Sequence, residues 1–245
     1  MLHEGPVPFV EAAELSRVRS RFLTSRSDAF VERDRALAEA EELVLWFEHD
    51  LYDQLQLIQV LASSDVPARL AQADTYLGEA DLPEPTPVSE GQREASRAAW
   101  AAFRAPDPSG LEPLDGDGLP FLRPAVDRLL EEYPSVVNGL GRSEQQALVA
   151  VAAGARDRLE AFRAAQRAEE ARFMGDVTFF ALLDRLEPLL GRDPDLRLTA
   201  LGEGVLAGDA DFVTARWIGG VELEPPSPAW RWDAAHRCLV TMLAA

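Results

Sequence analysis

The chain contains no lysine, one cysteine and three histidines, and these shortages exclude several classes of site. The single cysteine, Cys238, excludes an internal disulfide and any metal cluster built from several cysteines. No apolar run approaches the roughly 18 residues that a membrane span requires. The N-terminus also lacks the basic and apolar regions of a signal peptide. We therefore expect a soluble cytoplasmic protein without a membrane partner.

The charge of the chain is strongly one-sided. Its 24 basic residues are all arginines, and 42 acidic residues outnumber them, so the net charge is −18 with histidine neutral. Such a charge opposes non-specific nucleic-acid binding, which needs cations to displace counterions. Hydrophobic residues make up 47% of the 245 residues, which predicts a buried core in one large domain or two smaller ones.

The N-terminal part has the pattern of an α/β protein. Residues 11–40 have helical spacing, and Leu43–Phe47 is a continuous apolar run between acidic residues. This run predicts a strand buried on both faces, as in a parallel sheet covered by helices. Helical spacing returns over Leu51–Ser63, and Val66–Leu70 is a second, weaker strand candidate. This alternation predicts an α/β unit.

The C-terminal part has a different pattern. Ser143 and Gln146 have the spacing of a capping box at a helix start, and Asp176 is a candidate cap for a third helix. Three helices, a short strand and then Leu198–Leu206 resemble a winged helix. Within that motif the pattern predicts that Thr199 is a cap and that a glycine allows the chain to turn.

Seven segments distributed over nearly all of the chain carry a family resemblance: 2–8 (LHEGPVP), 45–55 (LWFEHDLYDQL), 131–135 (EEYPS), 138–140 (NGL), 173–176 (FMGD), 217–221 (WIGGV) and 230–233 (WRWD). The Glu-His-Asp-Leu-Tyr-Asp-Gln run is the most specific of these motifs. Through these segments the whole chain resembles the bacterial family called domain of unknown function 1835.

The resemblance implies an α/β fold plus a mostly α part, but no established activity. It implies a truncated, Rossmann-like parallel sheet followed by a helical middle and a winged-helix-like domain with terminal strands. Members of the family usually begin further upstream, with a strand, a Gly-Asp-Ser/Thr loop, a helix and a second strand. We therefore expect an incomplete α/β domain over 1–80, a linker and helices packing on it over 81–137, and the winged-helix-like domain over 138–245.

Polar residues follow the predicted strand directly. Glu48, His49 and Asp50 lie where parallel sheets bind ligands, at the carboxyl end of a strand. We take these three as candidate catalytic residues, because imidazole titrates near neutrality and binds divalent metals, while carboxylates orient an imidazole or hold a cation. The sequence identifies neither a metal nor a cofactor.

Four more residues are candidate ligand-binding residues. The family arrangement places His3 and Glu4 after the neighbouring strand, while Asp53 and Gln54 lie on the first turn of the next helix. Structural alternatives stay open for each. His3 could belong to a disordered terminus, Asp53 could favour the helix dipole, and Gln54 could cap a loop, just as Asp50 is a good N-cap.

Two functions remain open at this point. The first is a small-ligand-binding or catalytic α/β module with a winged-helix-like scaffold or partner-binding domain. The second is a non-enzymatic transcription regulator or protein-interaction module that uses the winged helix. Residues 139–210 hold nine arginines against twelve acidic residues, so DNA binding is not expected. A strand with an open edge would favour a homo-oligomer or a protein partner.

Overall fold

The computed structural model describes residues 2–23, 29–76, 78, 82–192 and 194–242. The chain has a mixed α/β structure, as expected, and divides into two compact units. Unit 1 is residues 1–129 with 217–222, and unit 2 is residues 130–216 with 223–245. The helices are α1 (Ala12–Leu23), α2 (Ala29–Glu39), α3 (Leu51–Ser63), α4 (Glu90–Arg104), α5 (Leu122–Leu130), α6 (Arg142–Ala152), α7 (Arg158–Arg167), α8 (Asp176–Arg185) and α9 (Ala200–Ala207). The strands are β1 (Leu43–Glu48), β2 (Ala68–Ala73), β3 (Thr86–Pro87), β4 (Leu190–Gly191), β5 (Arg197–Leu198), β6 (Arg216–Ile218), β7 (Val221–Leu223), β8 (Trp230–Asp233) and β9 (Cys238–Thr241).

Unit 1 is built on a parallel strand pair joined by a helix. β1 and β2 run parallel from Leu43 opposite Ala68 to Glu48 opposite Ala73, and α3 connects them. β3 adds to the other side of β2 as a short antiparallel strand. The sheet order is therefore β1-β2-β3, and β1 has an open edge in the described part of the chain, as expected.

The prediction that β1 is buried on both faces is wrong. Leu43 is buried, but Val44 is 42% exposed and Trp46 is 39% exposed. An apolar run does not show which of its alternating side chains meet a helix, and here Val44 and Trp46 lie on the exposed face. The indole Nε1 of Trp46 donates to the carbonyl of Pro83 at 3.1 Å, which satisfies its polar atom at the surface.

Arginine side chains bind the carbonyl groups of loops in unit 1. Arg19 is 1% exposed and donates to the carbonyls of Glu4 at 2.6 Å and Pro6 at 3.4 Å. Arg104 on α4 donates to the carbonyl of Pro8 at 2.7 Å. These bonds fix the N-terminal loop, residues 2–10, against the helices. Two further arginines bind loop carbonyls of this unit in the same way: Arg93 and Arg123.

The turn between β6 and β7 lies against the end of α4. The N–H of Gly220 donates to the carbonyl of Phe103 at 3.0 Å, and the carbonyl of Gly219 accepts from Val7 at 2.8 Å. Gly219 has φ +57°, and a Cβ there would lie 2.1 Å from the Phe103 carbonyl oxygen. Glycine is therefore required at this position.

Unit 2 contains helices α6 to α9 and two short strand pairs. β4 pairs with β5 ahead of α9, and β8 pairs antiparallel with β9. The core includes Leu148, Phe179, Leu183 and Val205, each at most 1% exposed. A single parallel bridge from Ser135 to Trp232 ties the start of the unit to its C-terminal hairpin.

The predicted cap of α6 is wrong by two residues. The N-cap is Gly141, and the carboxylate of Glu144 accepts from its N–H at 2.8 Å. Ser143 lies inside the helix and donates through its hydroxyl to Glu132 at 2.6 Å, so Ser143 and Gln146 form no capping box. The hydroxyl is engaged by a buried carboxylate from an earlier segment, which sequence spacing does not reveal.

The other two predicted caps have different outcomes. Thr199 accepts from the N–H of Gly202 at 3.1 Å and caps α9, as predicted. Asp176 is the first residue of α8, whose N-cap is Gly175.

Within the described residues, no helix combines the length and apolar character needed to cross a lipid bilayer.

Candidate functional site

Asp50 lies at the junction between β1 and α3 and caps the helix. It is 7% exposed, and its Oδ1 accepts from the N–H groups of Tyr52 at 2.7 Å and Asp53 at 3.2 Å. Burial raises the pKa of the Asp50 carboxyl to about 6, and the nearby carboxylates of Asp53 and Glu48 add to the rise. The pKa of Asp50 therefore lies nearer to neutrality than that of an ordinary aspartate.

Asp53 and Gln54 turn back from α3 onto the last residue of β1. The N–H of Glu48 donates to Asp53 Oδ2 at 2.6 Å, and Gln54 Nε2 donates to the Glu48 carbonyl at 2.7 Å. Burial is the main cause that raises the pKa of Asp53, and the negative charge of Glu48 raises it further. Both side chains thus cap backbone groups at the end of β1, which supports the loop-cap interpretation of Gln54.

Two polar atoms at this end of the strand are buried without a hydrogen-bond partner among the described residues. Gln54 is 0% exposed, and its Oε1 has no donor. The Nδ1 of His49 is also buried and without a partner, while its ring meets Phe121 edge to face at 5.9 Å between centroids. A buried polar atom left unsatisfied costs about 1–3 kcal/mol. A bound polar group would recover that energy.

His3 lies beside the first turn of α3. Its side chain is 4% exposed, and its ring centroid is 4.7 Å from that of Tyr52. The interpretation of His3 as part of a disordered terminus is therefore wrong. Arg19 binds the carbonyl of Glu4, the next residue, and this contact helps to place the histidine.

The structure brings His3 and the residues from Glu48 to Gln54 to the junction between β1 and α3. Glu4 follows His3, and its backbone carbonyl binds Arg19. In the described ranges, no three histidine, cysteine or carboxylate side chains are grouped so that they could hold a metal ion. Tyr52 and Phe121, which contact the two histidines, were not identified from the sequence. Tyr52 had one local signal, its position two residues after the capping Asp50.

The exposed side of α8 offers little for reading DNA bases. Asp176, Val177 and Asp184 are exposed, while the opposite side of the helix is buried. Asp184 binds Arg158 at 2.6 Å and Arg192 at 2.8 Å, so two neighbouring arginines are engaged by a carboxylate.

No protein-family model matches the chain, and no curated protein or solved structure matches it. The resemblance to domain of unknown function 1835 stays a prediction.

Proposed function

We propose that unit 1 binds a small polar molecule at the carboxyl end of β1, close to the first turn of α3. The observation that carries this proposal is Gln54, which is fully buried there with its Oε1 unsatisfied. His49 contributes a second unsatisfied atom next to the same strand end. Natural sites of this kind commonly place a few polar groups at the end of a parallel strand.

The polar groups at this edge favour a ligand that donates hydrogen bonds. Gln54 Nε2 is already engaged by Glu48, so its remaining Oε1 can only accept. Glu48, Asp50 and Asp53 place three carboxyl groups within six residues, which disfavours a phosphate or a carboxylate. The ligand we propose is neutral or cationic and carries N–H or O–H groups.

The same residues have the chemistry for proton transfer. The pKa of Asp50 is raised to about 6, and His49 is an imidazole with a buried, unpartnered Nδ1. We propose His49, Glu48 and Asp50 as the candidate catalytic groups, and His3, Glu4, Asp53 and Gln54 as groups that bind or position the ligand.

For the architecture, we propose a truncated Rossmann-like fold for unit 1 and a winged-helix-like arrangement for unit 2. The parallel β1–α3–β2 pair supports the first, and α6–α8 followed by the β4–β5 pair supports the second. The exposed side of α8 carries acidic and apolar residues, and none of those named there is a base-reading arginine, lysine, asparagine or glutamine. This composition supports a scaffold or protein-partner role for unit 2 and disfavours a role as a DNA-binding regulator.

The experiment is a thermal-shift screen of the whole chain. Neutral nucleosides and amino alcohols are compared with carboxylates and phosphates of similar size. At about 100 times its Kd, a ligand stabilises the folded state by about 2.7 kcal/mol. We expect stabilisation by the donor-rich compounds, and its loss in His49→Ala and in Gln54→Met.

His236→Ala is the matched control, because His236 is exposed and pairs with Asp233 in unit 2. It should leave the shifts unchanged. Preferential stabilisation by anions would contradict the proposal. So would a large fall in the melting temperature of His49→Ala with unchanged binding, since that result makes His49 a structural histidine.

A further inference from the structure

A cavity lies among α1, α2, α3 and α4 in unit 1. Its volume is about 420 Å³, within the range of small-molecule sites. We call it the helical pocket. Much of its wall is apolar and includes Leu15, Leu37, Val60 and Trp100. Leu15 and Trp100 are 4% and 5% exposed, so these parts of the wall are well packed.

The two acidic residues of the helical pocket already have cationic partners. Asp34 accepts from Arg33 at 2.6 Å and from the hydroxyl of Ser16. Asp65 pairs with Arg97 at 3.1 Å. These carboxylates are therefore compensated within the chain and place no demand for a cation on a ligand.

Arg104 differs from Arg33, because it has no carboxylate partner in the described chain. Its Nε and Nη2 donate to backbone carbonyls of Pro8 and Val10, and its guanidinium lies over the Trp100 ring at 5.5 Å. Nη1 has no acceptor among the described residues. Burial lowers the pKa of this guanidinium, although the Glu11 charge opposes that effect. A nearby anion would offset the burial.

Two further donors in the helical pocket also lack acceptors in the described ranges. Gln59 is 8% exposed, and its Oε1 accepts from Arg33 at 3.4 Å, while its Nε2 donates to no described residue. The indole N–H of Trp100 likewise has no acceptor there. Gln59, Trp100 and Arg104, the residues that carry these unused donors, all line the helical pocket.

We propose that the helical pocket binds an apolar molecule bearing one carboxylate, with the carboxylate accepting hydrogen bonds from Arg104 and the apolar body lying against Leu15, Val60 and Trp100. The volume suits a medium-length alkyl chain or a small ring system. This site differs from the one at the end of β1 in both location and charge preference, so each can fail without the other.

The test is calorimetric titration of the whole chain with octanoate and with 1-octanol, which share the alkyl chain but differ in charge. We expect one octanoate per chain, bound at least tenfold more tightly than octanol. Equal binding of both compounds would overturn the assignment of a carboxylate, and no binding of octanoate would overturn the site.

Three variants locate the binding. Arg104→Gln should abolish the preference for octanoate, while Arg97→Gln, on the same helix but paired at the surface, should keep it. Val60→Phe adds volume to the pocket wall without changing charge and should abolish binding of both compounds. Unchanged binding in Val60→Phe would overturn the location, and this variant decides the question if Arg104→Gln fails to fold.

Discussion

Replacement of Asp50 by asparagine is expected to stabilise the protein at neutral pH. Asn and Asp are equally good N-caps, and in the structure one oxygen of Asp50, Oδ1, accepts both helix N–H bonds. The Asp50→Asn variant therefore keeps the cap and removes a buried charge. Burial raises the pKa of Asp50 from 3.8 to about 6. This shift corresponds to about 3 kcal/mol at most, since one pKa unit is about 1.4 kcal/mol.

The pH dependence has a definite sign. A carboxyl whose pKa is raised on folding adds stability at low pH and loses it as the pH rises through the folded value. The wild-type chain should therefore lose stability between pH 3.8 and about pH 6 relative to the Asp50→Asn variant. The advantage of the variant should be full at about pH 8 and shrink as the pH falls towards 4.

Urea unfolding, followed by tryptophan fluorescence at several pH values, measures this difference. The matched control is Asp107→Asn, because Asp107 caps a 3-10 turn at the surface and its pKa is lowered by hydrogen bonds from Ser109. The ionised Asp107 carboxyl stabilises the folded state above the pKa that it has in the unfolded chain, and this stabilisation is lost as the pH falls. At neutral pH the Asp107→Asn variant should therefore be less stable than wild type, whereas Asp50→Asn should be more stable. A less stable Asp50→Asn variant at about pH 8 would refute the reasoning, since the ionised cap would then outweigh burial.

Three other predictions concern stability and DNA. Gly219→Ala should lower the free energy of unfolding by about 2–4 kcal/mol, because its Cβ would meet the Phe103 carbonyl at a positive φ; a urea midpoint within error of wild type would contradict this. Asn138→Ala should cost about 2–4 kcal/mol in the same assay, since it removes three hydrogen bonds of a buried side chain, with Leu140, Gln145 and Val205, of which the first and last are fully buried. Mobility shifts at physiological salt should show only non-specific DNA binding, and a specific footprint lost in Arg185→Ala would prove otherwise.

The parts of the fold that the sequence predicted are those determined by neighbouring residues. The apolar run of β1, the helical spacing of α3 and the capping Asp50 are all local, and all three are observed. The cap of α6 is not local in this sense. Gly141 is the N-cap and Ser143 is not, because the Ser143 hydroxyl binds the carboxylate of Glu132 from an earlier segment. The Glu144 carboxylate, which accepts from the N–H of Gly141, also binds Thr214 and Arg216, some 70 residues further on.

The sequence predicted that Glu48 to Gln54 lie together, but it did not predict the contacts of these residues. The end of β1 and the start of α3 follow from the pattern, so Glu48 to Gln54 were expected together. The burial of His3 depends on a loop held by Arg19, and the inward turn of Gln54 depends on the backbone of Glu48. Neither contact has a spacing that a single sequence reveals.

The arginine–carbonyl hydrogen bonds of unit 1 determine which salts and denaturants release the N-terminal loop. A carbonyl is a neutral dipole, so dissolved salt weakens these bonds less than it weakens a surface ion pair. The pKa of Arg19 is lowered by burial only to about 10, so its charge persists across the neutral range. Guanidinium ions, however, present the same planar fork of donors to a carbonyl. Guanidinium chloride should therefore compete for the carbonyls of Glu4, Pro6 and Pro8 directly, and should release this loop before urea of equal denaturing strength does.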